Sequence, residues 1–455
     1  MRAKYIAILI FVILSSCNND GELGPATNPG VIIPTIIPKG NERYLTLDSD
    51  YIFDQEKLHT FELVIPEVAL AQINSDPVAE EYVEGMLIFR GDTISPVGIR
   101  YKGSVGAFIG CVSGSDWANP SGQKTCTKLS MKVKINWEGR QELFYKLKKL
   151  QFHSQNLDDS QMHERLGYWL FRAMGVPAPR SVHARLIING KLSGLYALTE
   201  QIDGRFTRYS FDDGEGNLYK EVWPLRMSGV PHSDRTYINA LRTNEDENPS
   251  IDIIKNFAYR ISNAEFSTIQ SEIEAFMDID EIISFVVVDR MIRNDDGPFH
   301  WYCEGGGCSN HNFYWYEEPN NQRVHLIPWD LDNAFDNIIF NANPVTPIAD
   351  DWGQITNNCR PFAYGTWNIR QWSAACDKLT AGWARYEQEY DQIKHQFVNG
   401  PFSEPQVNEL IDEWALQIKE ATIEAKNTNA DAISVLEWED AIKHLKSQLN
   451  YARNN

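Results

Sequence analysis

Positive charge is scarce in this chain: 42 lysines and arginines stand against 62 aspartates and glutamates, a formal net charge of −20 over 455 residues. Phosphate backbones and anionic lipid faces are gripped through Lys and Arg, so the balance argues against nucleic acid or an anionic membrane face as partner. A bound nucleotide would need local lysines or metal ions to supply the positive charge. The apolar stretch at the N-terminus, Tyr5 to Leu14, is ten residues long, against the roughly 20 that a membrane-crossing helix requires. No internal repeat or long low-complexity segment occurs, which excludes solenoids and arrays. What remains is globular: 43% hydrophobic and 12% aromatic content suffices for one large or two medium domains with a sizeable core.

The N-terminus has the pattern of a targeting segment: Arg2 and Lys4, the apolar core, then Ser15-Ser16-Cys17. Leu14-Ser15-Ser16-Cys17 resembles a bacterial lipobox. That implies a lipoprotein signal peptide over residues 1–17, lipid on Cys17, and an exported bacterial lipoprotein anchored in the outer membrane or at the cell surface. A plain secretory peptide with an incidental cysteine is the alternative. Residues 18–43, rich in Pro, Gly, Asn and Thr, are expected to form a flexible tether. Six cysteines then remain, an even number that suggests disulfides in an exported chain. The most local pairing joins Cys111 with Cys126, Cys303 with Cys308 and Cys359 with Cys376, one of many connectivities open to six cysteines. His300-x2-Cys303-x4-Cys308-x2-His311 also has a spacing that zinc can use. An oxidising compartment and the glycine run before Cys308 favour a small disulfide loop instead.

From residue 44 to about 150 the chain reads as mostly strand, with short runs at Thr60 to Ile65, Gly85 to Phe89, Val97 to Tyr101 and Lys128 to Ile135. In the last run, Lys128, Lys132 and Lys134 share one face. That face is either an edge protected by lysine or a strand whose lysine reaches nucleotide phosphate. Arg100-Tyr101-Lys102-Gly103-Ser104-Val105-Gly106 is suited to placing backbone N–H groups and Lys102 around phosphate, although it is neither a Walker A nor a GxGxxG pattern. Asp158-Asp159-Ser160 caps a helix whose stripe is Leu166, Trp169, Leu170 and Ala173, ended by Gly175 and Pro177. Glu164 lies in its first turn, as a partner for a strand lysine or simply a group favoured by the helix dipole. Val182 to Ile188, Asn189-Gly190 and Leu195 to Thr199 form a hairpin signal, and Gly216 to Lys220 reads as a further strand. From about Asp252 the pattern is mainly helical, with late stripes at Val407, Leu410, Ile411, Trp414, Ile418 and at Trp438, Ile442, Leu445, Leu449 that read as core.

The most informative stretch runs from Asn294 to Asn337. Phe313 to Tyr316 and Val324 to Ile327 flank the turn residues Glu317 to Gln322, which predicts an antiparallel hairpin. Its open ends place Asn312 beside Asp330, with Asp295 and Asp296 just upstream. Phosphoryl transfer needs that order: an acid to position the attacking hydroxyl, then an amide and a carboxylate for Mg²⁺. Asp and Asn are also ordinary turn and cap residues, the structural alternative.

In order, these pieces resemble the CotH kinase family, the spore-coat-protein-H-like proteins. The matching pieces are Arg100-Tyr101-Lys102-Gly103-Ser104, the Lys128 strand, Leu147-Lys148-Lys149-Leu150 and Gly175-Val176-Pro177-Ala178-Pro179. Then come Ile188-Asn189-Gly190, Gly194-Leu195-Tyr196, Thr199-Glu200-Gln201-Ile202-Asp203, Asn217-Leu218-Tyr219-Lys220, His311-Asn312-Phe313-Tyr314 and Pro328-Trp329-Asp330-Leu331-Asp332. The resemblance covers roughly residues 50 to 340. It implies an α+β, atypical protein-kinase-like bilobal fold over residues 44–455, with a β-rich N-terminal lobe to about 200 and a mainly helical C-terminal lobe from about 201. It also implies transfer of the γ-phosphate of ATP to protein Ser or Thr, with Mg²⁺ or Mn²⁺. Asp296 would be the catalytic carboxylate, with Asp295 able to exchange roles with it. Asn312, Asp330 and Asp332 would meet the metal, and the Cys303 to Cys308 insert leaves Asn310 as an alternative to Asn312. Lys102, Lys132, Glu164, Glu200 and Lys220 would serve the nucleotide, Glu200 where the chain crosses between lobes. The partner is then a protein substrate or surface protein, with membrane contact through the N-terminal lipid only. A catalytically silent binding or structural protein on the same fold is the rival, because little ATP is found outside the cytoplasm.

Overall fold

The computed structural model describes residues 48–455 except 104, 109, 117–118, 142, 295, 337, 340–357 and 365–368. The expected signal peptide and tether, Cys17, Ser104 and Asp295 lie outside the described residues. Strands and twelve α-helices are mixed among the described residues, so the chain is α+β. None of these helices is long and apolar enough to cross a membrane. The chain divides into two compact units: one of residues up to 165, 180–201 and 411–443, the other of residues 166–179, 202–410 and 444–455.

The first unit contains β1 (His59–Val64), α1 (Glu67–Ser75), β2 (Val83–Phe89), β3 (Asp92–Tyr101), α2 (Val105–Phe108), β4 (Met131–Lys134), β5 (Lys149–His153) and the start of α3 (His163–Ala173). It continues with β6 (Ser181–Ile188) and β7 (Lys191–Thr199). These strands close a barrel in the order β1-β2-β3-β4-β5-β7-β6. All neighbours are antiparallel except β1 and β6, whose parallel pairing sets Phe61 opposite Leu186 and Leu63 opposite Ile188. The period-2 pattern explains the interior: Phe61, Leu63, Leu87, Ile99, Met131, Val133, Phe152, Leu186 and Leu198 all bury their side chains in one core. Phe61 stacks on Phe89 at 4.8 Å and meets Phe152 edge-on at 5.3 Å. Truncating such a ring to alanine typically costs about 3–5 kcal/mol. The β6–β7 turn has the two positive φ angles of a type I′ hairpin, 49° at Asn189 and 73° at Gly190.

Barrel closure corrects one expectation. The lysine-bearing strand is not an edge: β4 lies between β3 and β5, with Lys132 opposite both Arg100 and Gln151. A closed barrel has no unpaired edge to protect, and Lys132 is buried rather than solvated.

The second unit takes the rest of α3, α4 (Gly204–Ser210), β8 (Leu218–Lys220), α5 (Asp234–Ala240), α6 (Asp252–Asn263), α7 (Ile269–Glu274) and α8 (Ile279–Met291). After these come β9 (Trp301–Glu304), β10 (Gly307–Ser309), β11 (Phe313–Glu318), β12 (Arg323–Pro328), β13 (Phe362–Tyr364), β14 (Ile369–Trp372), α9 (Lys378–Trp383) and α10 (Glu387–Asn399). The last helices are α11 (Glu404–Thr428) and α12 (Val435–Asn454), of which residues 411–443 count with the barrel. The expected hairpin β11–β12 is joined by the expected strand β8 in a sheet ordered β12-β11-β8, and the stretch expected to be mainly helical also holds a second sheet, β10-β9-β14-β13. Helix α8 is buried on nearly every side and starts at Asp278, whose carboxylate accepts from the Glu281 N–H. Trp223 gathers Trp301, Phe313, Trp315 and Trp383 around it at 5.4 to 5.8 Å.

Three disulfides are present: Cys111–Cys126, Cys303–Cys308 and Cys359–Cys376. This is the local pairing. Cys303 and Cys308 face each other across β9 and β10, so the bond consumes both sulfurs that the zinc alternative needs.

Candidate functional site

Strand direction assembles the site. In the second unit, β8 and β12 both run antiparallel to β11. The exits of β8 and β12 therefore meet the beginning of β11 at one end of the sheet. Past the last paired residues, the Glu221 N–H donates to the Phe313 carbonyl at 3.2 Å and the Trp329 N–H to the Asn312 carbonyl at 3.1 Å. Glu221, Asn312 and Asp330 thus gather at that end. All three have left-handed backbones, with φ of 53°, 60° and 56°. A non-glycine residue in that region costs roughly 1–3 kcal/mol, less for Asn and Asp, and such residues cluster where a site dictates the backbone. The Asp330 N–H is held by the Tyr168 hydroxyl at 2.9 Å. Asp332 follows in a short 3₁₀ turn, where the Asn333 amide reaches it at 3.2 Å.

Asp296 arrives from α8 through a tight turn. The Asn294 amide donates to the Asp289 carboxylate at 2.9 Å, and the Gly297 N–H to the Asn294 carbonyl at 3.2 Å. Any Cβ on residue 297 would stand 2.3 Å from Asn294 Nδ2, so glycine is required there. The turn delivers the buried Asp296 to Asn312, whose Nδ2 donates to its Oδ2 at 2.8 Å and to its carbonyl at 3.0 Å. Asn310 instead spends its amide on the Pro298 carbonyl at 2.7 Å. Of the two asparagines, Asn312 is therefore the one that reaches Asp296. Burial, then the charges of Asp330 and Glu221, push the Asp296 carboxyl well above the usual carboxylate range, against the pull of Asn312.

Positive charge enters this sheet end through Lys220, whose Nζ lies 3.6 Å from Glu221. Glu221 raises the Lys220 ammonium, with Tyr314 and Asp330 adding to it and burial opposing. Burial opposes ionisation of Glu221, but Lys220, His311, the Asn312 N–H and Arg242 outweigh it and hold its carboxyl low. Glu221 Oε1 also accepts that Asn312 N–H, at 3.3 Å. Asp330, Asp332 and the amide oxygen of Asn312 are hard oxygen donors of the kind Mg²⁺ and Mn²⁺ prefer, and crowded carboxylates favour a divalent cation. The residues present fit such an ion.

The first unit holds the remaining candidates. Lys102 follows β3, and its Nζ lies 2.7 Å from His153 Nε2. His153 Nδ1 meets the Glu164 carboxylate at 2.7 and 2.8 Å, so the acid on α3 bonds an imidazole. Glu200 is committed to Arg180, which grips both of its oxygens at 2.5 and 2.9 Å. Lys132 sits in the barrel wall, as described. Glu221 and His153 were not singled out in the sequence. Glu221 had one signal, its place directly after Lys220; His153 had none beyond being a histidine in a strand.

A family model described as CotH kinase protein matches residues 99–454. A search of curated proteins finds no match.

Proposed function

Because this chain belongs to the CotH family of kinase-like proteins, we propose that it is an atypical kinase that transfers the γ-phosphate of ATP to a protein serine or threonine, on a bilobal kinase-like fold. The observation that carries this reading is the sheet end where Asp296, bonded to Asn312, meets the strand exit bearing Asp330. Asp296 positions the attacking hydroxyl and accepts its proton. Asn312 and Asp330, with Asp332 close by, would hold Mg²⁺ or Mn²⁺, which supplies charge neutralisation on the transferred phosphoryl group. Lys102 and Lys220 bring positive charge to the phosphates of a chain that is otherwise strongly acidic. Lys132, Glu164 and Glu200 complete the nucleotide candidates, although the Glu200 carboxylate is already engaged by Arg180. The substrate class is protein, membrane contact is through lipid on Cys17, and nucleic acid is not a partner.

A silent surface protein on the same fold is the second reading, favoured by the lipobox-like Leu14 to Cys17 and the scarcity of ATP outside the cytoplasm. Incubating the purified chain with labelled ATP and Mg²⁺ or Mn²⁺ separates the two. Label on serine or threonine in the wild type, lost in Asp330→Ala, supports the kinase. An intact fold that neither binds nor turns over ATP supports the silent surface protein instead.

A further inference from the structure

Between Lys102 and Glu164 stands His153, in contact with both. The proton inventory is determined by these contacts. An ionised carboxylate only accepts, so His153 Nδ1 carries a hydrogen toward Glu164; Nε2 then has its lone pair free and accepts from the ammonium of Lys102. Both His153 and Glu164 are buried, and an imidazole bonded at both nitrogens has no freedom to turn.

The backbone around Lys102 is pinned as well. Its N–H donates to the Ser130 carbonyl at 2.9 Å, and the next N–H, that of Gly103, donates to Glu80 Oε1 at 2.7 Å. With the Cα anchored, the contact with His153 holds the ammonium at its far end.

We propose that His153 is a positioning residue for the nucleotide: it relays the hold of Glu164 onto Lys102 and aims the ammonium at a phosphate. The inference rests on the kinase reading above, and Lys102 remains the group that meets phosphate.

Calorimetric titration of ATP and adenosine into the whole mature chain tests it, with His153→Asn, His153→Gln, Lys102→Ala and the Lys102→Ala/His153→Asn double variant. In His153→Asn the amide nitrogen takes the place of Nδ1 toward Glu164, and no atom reaches Lys102. In His153→Gln the longer amide reaches the place of Nε2. The expected result is ATP affinity down roughly tenfold or more in His153→Asn, adenosine affinity unchanged, most of the loss recovered in His153→Gln, and no further loss when His153→Asn is added to Lys102→Ala. Wild-type ATP affinity in His153→Asn overturns the inference, as does an equal loss of ATP and adenosine, or a full effect persisting without Lys102. If His153→Asn fails to melt cooperatively, His153→Gln decides alone: near-normal ATP affinity supports the relay, and a loss as large as that of Lys102→Ala overturns it. A wild type that binds no ATP removes the kinase reading and this inference together, whereas ATP binding indifferent to His153 removes only the latter.

Discussion

In the barrel unit burial drives several bases down: His59 to about 4, His183 to about 3 and Arg165 to about 9. In the other unit burial acts on acids as well, raising the carboxyls of Asp289 and Glu317 to about 7 and that of Asp377 to about 6, while His300 falls to about 3. One physical cause, desolvation of the charged form, thus has opposite consequences for bases and for acids. Among the site residues, Lys102, His153 and Glu164 lie in the barrel unit, and Lys220 lies in the other with the carboxylates that crowd around Asn312.

The largest expected effect is in acid. A histidine whose folded pKa is lowered contributes stability that is complete above its unfolded value, about 6.5, and lost as pH falls toward the folded one. His183 alone represents on the order of 5 kcal/mol by this linkage. Hydrogen exchange followed segment by segment from pH 7 to pH 3 should show β1 and β6 losing protection steeply; unchanged protection there would break the comparison.

Next comes the opposite slope. An acid with a raised folded pKa favours the neutral fold, so its stability is complete below about 4 and lost as pH rises to about 7. Asp289→Asn keeps the neutral shape and should remove a dependence on the order of 4 kcal/mol between those limits. Denaturant melts of wild type and variant at pH 4, 5.5 and 7 read it directly. Parallel curves would mean that Asp289 ionises freely in the fold.

A smaller free energy attaches to the chemistry. Asp330→Ala should slow transfer on the order of 10²-fold or more, because a charge-stabilising group is lost. Asp296→Ala should slow transfer on the order of 10²-fold while nucleotide affinity stays near wild type. Rates with labelled ATP and affinities from titration check both, and full activity in either variant contradicts its assigned role. The smallest effect expected is that of Cys303→Ser/Cys308→Ser. The bond closes a short loop, so chain entropy predicts a loss of about 2 kcal/mol, measurable as a shift in the denaturant midpoint of the second unit alone.

Much of the fold could be read from the residues. Alternation located β1, β3 and both long hairpins, and Asn189-Gly190 specified its turn because few residue pairs tolerate two positive φ angles. The helical stripe ending at Gly175 located α3, and those of Val407 to Ile418 and Trp438 to Leu449 located α11 and α12. Pairing between Asn312 and the Pro328-Trp329-Asp330 exit was legible for the same reason, since a hairpin is a local object. The sheet end itself was half legible: Asn312, Asp330 and Asp296 stood out along the chain, and Glu221 did not.

Local periodicity, turn chemistry and hairpin register, then, are what the sequence by itself determined, because each depends on interactions across a few residues. Closure of the barrel was decided only in three dimensions. It rests on β1 pairing with β6, strands more than a hundred residues apart in sequence, and it turned an expected lysine-guarded edge into a buried wall. The placement of Glu221 against Asn312 and of His153 between Lys102 and Glu164 was decided the same way. A side chain's neighbours across a sheet or on the next helix are chosen by packing of distant segments, and no spacing along the chain encodes them.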